Sequence, residues 1–236
     1  MESGTQYSSA HSLSMLNQVA KMKGILFNEA IGSVLWPAVV SRPDVAYAVG
    51  VLSQFIQNPG PAHWEGLKRI INYLNSMKNY WLTCGGGDKD GVEGYSDADW
   101  AGQKDRHSIS GYSFVLGKGA ITWSLKKQHI ITLLSMESEY IAQTHAAKEA
   151  MWRAIALAKD NKFHARTKHI DLRYHFLREA VEDERICFTY IPTEDNVADI
   201  FTKALLRPKF VQLVGKLGLR EMSKEGKEEV RSIIKR

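Results

Sequence analysis

Cysteine is scarce in this sequence: Cys84 and Cys187 are the only two, and they stand far apart. Such a pair builds neither a dense disulfide framework nor the clustered thiolates of a structural zinc site, so a reducing intracellular compartment is expected. Long apolar runs are missing too. The longest, Val34–Val40, is broken by Pro37 and falls well short of the roughly 18 residues that span a bilayer, so no membrane partner is expected. Residues 1–20 are polar and lack the apolar stretch of a secretory leader, and none is expected. Proline is sparse, at six in 236 residues. There is no acidic excess: 31 Lys and Arg against 26 Asp and Glu give a formal charge of +5 and a pI near 9.1. That balance is compatible with nucleic acid, whose phosphates are neutralised by Lys and Arg, although an ordinary solvated surface is just as basic. What is present is a globular composition, 44% hydrophobic and 24% charged, sufficient for a packed core in one large domain or two small ones.

The pattern along the chain divides it into four stretches. Residues 1–23 are a polar, Ser-rich lead-in. Residues 24–88 read as a small helical unit. Apolar residues recur at helical spacing from Phe27 to Leu52 with breaks expected at Pro37 and Pro43, and Arg42-Pro43-Asp44 looks like a helix start. After the breaker Asn58-Pro59-Gly60-Pro61, a helix is expected over Ala62–Lys78, with Trp64, Leu67, Ile70, Ile71 and Leu74 in one stripe. Gly85-Gly86-Gly87 marks a boundary, and residues 91–219 form the third stretch. Strands are expected at Val92–Ala98, Gly111–Leu116 and Ala120–Leu125, the last two around the turn Gly117-Lys118-Gly119. Met136–Asn161 contains no Gly or Pro, and its residues Met136, Tyr140, Thr144, Ala147, Met151, Ile155 and Ala158 recur at three- and four-residue steps, which predicts about seven turns of helix. A helix over Thr167–Glu182, a strand over Arg185–Ile191 and a helix from Val197 complete the pattern. Residues 220–236 form a charged tail.

Three acids fall where elements end: Asp97 near the end of the first strand, Glu137 in the first turn of the long helix, and Asp199 in the first turn of the helix after Pro192. Carboxylates gathered at such junctions hold Mg²⁺, a hard cation that prefers oxygen. A pair of such ions activates water and stabilises the leaving oxygen of a phosphodiester. Taken singly, each acid has an ordinary explanation: Asp199 completes a capping box with Asn196, Glu137 complements a helix dipole, and Asp97 is a turn acid.

The surrounding words are more specific. Gly94-Tyr-Ser-Asp-Ala-Asp-Trp-Ala-Gly102, Asp105-Arg-His-Ser-Ile-Ser-Gly-Tyr112, Ile121-Thr-Trp-Ser-Leu-Lys-Lys-Gln128 and Ser135-Met-Glu-Ser-Glu-Tyr-Ile141 resemble, in order, the RNase H domain of copia-type retrotransposon Pol polyproteins. The resemblance continues through Phe163–Asp171 and Tyr190–Lys203, and extends upstream through Glu29–Ser33, Arg42–Ala48 and His63–Glu65, which look like a reverse-transcriptase tail. It covers roughly residues 20–219 and implies an α/β fold: an RNase H-like mixed sheet with flanking helices, preceded by a small helical segment. It also implies an ancestral activity, hydrolysis of the RNA strand of RNA–DNA hybrids by carboxylates around two Mg²⁺ ions. By position Asp97, Glu137 and Asp199 match catalytic, metal-holding residues, with Asp99 and Glu139 as lower-ranked neighbours. The implied partners are an RNA–DNA hybrid or other nucleic acid, and other Pol-derived domains. The Tyr-x-Asp-Asp motif of the polymerase is absent, so no DNA synthesis is expected.

One part of the resemblance is missing. Relatives carry a further strand after the long helix, ending in Cys-Asp-Asn, whose Asp is the third metal ligand. Here Met151-Trp152 runs directly into Arg153-Ala-Ile-Ala-Leu-Ala158, with no breaker at the join. The expectation is an internally truncated fold without one central strand, in which Val92–Ala98 and Arg185–Ile191 pair directly or the sheet splits, with impaired cleavage. The alternative is a non-catalytic nucleic-acid-binding remnant or a pseudogene product. Arg106, Lys126 and Lys127 are candidate phosphate contacts, though a solvated face explains them as well. Trp100 and Trp123 are expected in the core.

Overall fold

The computed structural model describes residues 7–8, 11–12, 22–84, 92–100, 106–158, 181–183 and 186–222. Most of the lead-in, the Gly85–Gly87 boundary, nearly all of the helix expected over Thr167–Glu182 and the tail beyond Met222 lie outside the described residues. The elements are α1 (Phe27–Val40), a 3-10 turn (Pro43–Val45), α2 (Ala46–Ser53), α3 (Pro61–Ser76), β1 (Tyr80–Leu82), β2 (Val92–Asp99), β3 (Ile109–Leu116), β4 (Gly119–Lys127), α4 (Ser135–Ala158), α5 (Asp199–Thr202), α6 (Arg207–Lys216) and β5 (Leu219–Glu221). The class is α/β with antiparallel sheets, consistent with the RNase H-like fold the motifs imply. Among the described residues, no helix is long and apolar enough to cross a membrane.

Two compact units emerge: Met1–Val92 with Val115–Ile121 and Ala204–Arg236, and Glu93–Phe114 with Thr122–Lys203. In the first, α1, α2 and α3 enclose Phe27, Ile31, Val34, Val49, Leu52, Leu67 and Ile70. Pro37 does not break α1 as the sequence suggests; the helix runs on to Val40. Proline removes one N–H and crowds the carbonyl four residues back, a local loss that burial of Val34 and Ala38 on the same helix offsets. Arg42-Pro43-Asp44 is not a plain helix start either. Asp44 accepts from Arg42 Nε at 3.0 Å and Nη2 at 2.6 Å, and from the Tyr73 hydroxyl at 2.7 Å. Its carboxylate is wholly buried. At the start of α3 the His63 ring reaches back and accepts at Nδ1 from the Gly60 N–H, 2.9 Å away. β1 and β5 pair antiparallel, Trp81 opposite Arg220.

In the second unit the sheet order is β2-β3-β4. All three strands appear where alternation predicts them. α4 lies on this sheet, with Ala146 and Ala150 against Tyr112 and Phe114. The helix is unbroken from Ser135 to Ala158, so the join at Trp152–Arg153 sits inside one continuous helix. Its buried face matches the predicted stripe in part: Thr144 and Ala147 are buried as expected. Met136 is 76% exposed, whereas Ser138, Ala142 and Ala146 are buried. The reason is shape: the large rings come from the sheet, so the helix presents small residues to them.

The predicted strand at Arg185–Ile191 is absent: residues 186–191 have no regular structure, and Tyr190 is 87% exposed. Val92–Ala98 and Arg185–Ile191 do not pair directly, the first of the two outcomes expected; among the described strands β2 pairs with β3 alone. Strand propensity reflects a fit to a neighbouring strand, and among the described strands none pairs with residues 186–191. Trp100 is also not core. It is about half exposed and donates from Nε1 to the Thr132 carbonyl at 3.2 Å.

Gly111 decides how closely α5 approaches β3. A Cβ there would stand 2.8 Å from Phe201 Cβ, 2.8 Å from Thr202 Cγ2 and 3.2 Å from the Ala198 carbonyl oxygen. Glycine is costly in a strand, but it permits such an approach. Gly111→Val is therefore expected to lower stability by about 1–3 kcal/mol through overpacking, read as a lower thermal unfolding midpoint.

Candidate functional site

The acids of the second unit gather at the end of β2. Asp97 lies on that strand with its side chain buried, and Asp199 opens α5 fully buried. The loop before α5 is tied to the strand by Asn196, which donates from Nδ2 to the Ser96 carbonyl at 2.9 Å and accepts at Oδ1 from the Ala198 N–H at 3.0 Å. Asn196 thus acts as a local turn-former. The Asp199 carboxylate is engaged elsewhere: Lys203 Nζ lies 2.9 Å from Asp199 Oδ1 and 3.7 Å from Asp97 Oδ2. Thr202 Oγ1 donates to Asp97 Oδ2. One helical turn therefore supplies an acid, a hydroxyl and an ammonium to the same spot, because positions three and four residues apart share a face.

Electrostatics follow from this crowding. Burial pushes the Asp97 carboxyl above its ordinary range and Asp199 adds to this, while Thr202 and Lys203 oppose it. Asp99 is raised by burial, against the pull of Lys203. Lys203 itself is raised: burial disfavours its charge, but Asp97, Asp199 and Asp99 together outweigh that. The largest readable effect is on Glu139. Burial, reinforced by Asp97 and Asp199, pushes it up to about 7, although the Ala98 N–H and Lys203 pull the other way. The ordinary value is 4.5.

The structure thus brings Asp97 and Asp199 together and sets Glu139 within their field. Glu137 is placed differently. Its carboxylate accepts from the Leu133 N–H at 3.0 Å, just ahead of α4. The signal that separates the two glutamates is on the helix: Ala142 and Ala146, three and seven residues beyond Glu139, are both buried. Lys203 and Thr202 were not singled out by the sequence, though they stand four and three residues after Asp199. Arg106 is exposed in a left-handed backbone conformation, φ 61°, and Lys126 is exposed near the end of β4 with Lys127 half-buried beside it.

Glu139→Gln offers a pH test. A carboxyl raised in the folded state contributes stability that is complete below pH ~4.5 and is lost as pH rises through about 7. The full shift corresponds to roughly 3 kcal/mol, reduced to about 1–2 by solvent screening at this partly exposed side chain. Glu139→Gln is expected to unfold at higher urea than the wild type at pH 8 and at equal urea at pH 4; equal midpoints at both pH values contradict it.

The chain is 40% identical over 218 residues to the retrovirus-related Pol polyprotein from transposon TNT 1-94 of Nicotiana tabacum, a match covering 83% of the chain and 16% of that polyprotein. It is 35% identical over 213 residues to the Pol polyprotein from transposon RE1 of Arabidopsis thaliana, covering 80% of the chain and 14% of that protein. The chain belongs to the Pol polyproteins of copia-type retrotransposons. This Pol chain is also 45% identical over 135 residues to a protein of Plasmopara viticola named secreted RxLR effector protein 161, covering 57% of the chain and 95% of that protein. It thus spans about a sixth of the length of the Pol polyproteins it matches. No protein-family model and no solved structure matches it.

The side chains of this Pol chain do not fit the Mg²⁺ ions that the RNase H resemblance implies. Among the described residues, no group of three or more His, Cys, Asp or Glu stands close enough to hold a metal ion. The oxygens that Asp97 and Asp199 would offer already face Lys203 Nζ, and Asp97 Oδ2 also accepts from Thr202. The charged group that faces both acids is the Lys203 ammonium.

Proposed function

We propose that this Pol chain carries an RNase H-like domain, ancestrally a nuclease acting on the RNA strand of RNA–DNA hybrids, that keeps nucleic acid as its partner and has lost most of its cleavage. One observation carries the reading: Lys203 Nζ sits 2.9 Å from Asp199 and 3.7 Å from Asp97. Two-metal hydrolysis needs carboxylates free to bind two cations 3.5–4 Å apart. Here the two buried acids share one internal ammonium, and the helix that would lead into a further strand and its Asp continues unbroken through Trp152–Arg153. Glu137, matched by position to a catalytic acid, faces backbone rather than Asp97.

The test is hybrid hydrolysis by the full chain in Mg²⁺, with Asp97→Asn alongside. The expected result is turnover near background and little difference between the two. Robust Mg²⁺-dependent cleavage that disappears in Asp97→Asn refutes the impairment.

A further inference from the structure

Part of the polar lead-in lies as a strap against the first unit. Tyr7 packs on the apolar core, Ser8 is buried, and Tyr7 and His11 stand beside the start of α3. Two glycines make room for them. A Cβ at Gly60 would collide with the His11 carbonyl oxygen, and a Cβ at Gly66 would collide with the Tyr7 hydroxyl. Gly60 has a backbone that any residue adopts, φ −103° and ψ 174°. Its missing side chain therefore serves close approach of the strap rather than backbone conformation.

The contact centres on His63, which is fully buried. Phe55 stacks on its ring with centroids 4.1 Å apart, and Tyr7 and His11 flank it at 5.8 and 6.1 Å. Both histidines use Nδ1 to accept from a backbone N–H: His63 from Gly60 at 2.9 Å, and His11 from Ser8 at 3.2 Å. A backbone donor fixes the tautomer, so each ring is neutral with its proton on Nε2. A second proton on either ring turns its acceptor into a donor and sets N–H against N–H. Charge on both rings adds repulsion. The neighbours offer little to offset this. From the strap, the titratable side chains facing His63 are His11 and Tyr7. Residues 46–60, which cover α2 and the turn after it, contain Tyr47 and no acid or base. On α3 the first charged residues, Glu65 and Lys68, are exposed and pair with each other at 2.6 Å. Burial holds the His63 pKa below its ordinary 6.5 and His11 lowers it further, against the pull of the Ser8 backbone.

We propose that this strap is a proton-operated latch: it holds to α3 while His11 and His63 are neutral, and lets go when acid protonates them. Release uncovers the side of α3 that carries Gly60, His63 and Gly66. The docked strap disfavours the protonated rings, whereas the released strap does not. Docking is therefore complete above pH ~6.5 and weakens as pH falls below it. Each histidine that must stay neutral multiplies opening by about ten between pH 7.5 and 5.5.

The experiment follows amide hydrogen exchange of the full chain by NMR at pH 7.5 and 5.5, each rate divided by that of an unstructured chain at the same pH. Ser8 and Gly60, whose amides are bonded to the two histidines, report the latch. Ile70, inside α3, reports unfolding. The expected result is protection of Ser8 and Gly60 lower by about ten-fold or more at pH 5.5, with Ile70 unchanged. His11→Asn/His63→Asn keeps an acceptor oxygen near each Nδ1 position without a titratable ring, and is expected to level the pH dependence. Gly60→Ala is expected to strip Ser8 of protection at pH 7.5 while Ile70 keeps its own. Wild-type protection that is equal at both pH values overturns the latch, whether or not the variants fold. So does a fall at Ile70 that matches the fall at Ser8, since release is then unfolding. A double histidine variant with the wild-type pH dependence overturns the two rings as the proton acceptors, and Ser8 as protected in Gly60→Ala as in the wild type overturns the docking.

Discussion

Lys203→Met is expected to lower the stability of the second unit by about 2–4 kcal/mol at neutral pH, read as a fall in the urea midpoint. The substitution keeps the aliphatic stem but strands two buried carboxylates, Asp97 and Asp199, that share the ammonium at 3.7 and 2.9 Å. Breaking a buried pair by removing one partner costs more than the pair contributes, roughly 3–5 kcal/mol, because an uncompensated charge is left behind. The lower figure used here reflects the 34% exposure of the Lys203 side chain, which admits solvent screening. The loss is expected to shrink at pH 4. Asp97 already lies above its ordinary range through burial, and without the ammonium, which opposes that rise, it takes up a proton more readily. Lys203→Arg restores charge and recovers part of the loss. A second reading comes from adding millimolar Mg²⁺. The wild-type midpoint is expected to stay put, while that of Lys203→Met rises as the emptied carboxylates take a cation that binds only the folded chain. A Lys203→Met protein as stable as the wild type at pH 8 removes the basis for the internal-cation account.

Asp44→Ala in the first unit is expected to cost about 3–5 kcal/mol. Asp44 is the acceptor for a two-pronged Arg42 guanidinium and for the Tyr73 hydroxyl. The Arg42 side chain is 10% exposed and also lies 5.6 Å from the Tyr73 ring centroid. Removing the carboxylate leaves a guanidinium that cannot shed its proton in a place from which water is largely excluded. Arg42→Met combined with Asp44→Leu is expected to recover much of the loss, since apolar replacement of a whole buried pair is often close to neutral. Equilibrium unfolding of Arg42→Met, of Asp44→Leu and of the double variant gives the coupling between them. Tyr73→Phe is a milder companion, expected to cost about 1 kcal/mol for one hydrogen bond.

Most of the scaffold was legible from periodicity. β2, β3, β4, α3 and α4 lie where alternation, turn glycines and the absence of breakers put them, because each signal is local and each segment finds a partner. Where local signal and tertiary partner part company, reading fails. Residues 186–191 have the composition of a strand but no strand beside them. Pro37 marks a break that burial around it overrides. The stripe from Met136 follows hydrophobicity, but packing against Tyr112 and Phe114 selects small residues instead. In the site, Asp97 and Asp199 were legible as acids at element ends. The choice between Glu137 and Glu139 was not, because they differ by two positions on a helix whose buried face was read only in part. Lys203 carried no signal of its own. A lysine at the end of a family motif looks like solvent-facing charge until the fold shows its ammonium facing two buried acids.

The unbroken α4 has a kinetic corollary. Two helices separated by a loop and a strand must each start on their own, and fixing the first turn of a helix is unfavourable by a factor of about a thousand. A single run from Ser135 to Ala158 starts once and then propagates across Trp152–Arg153 without a second initiation. The continuous helix across Trp152–Arg153 thus needs one unfavourable initiation where two separate helices would need two.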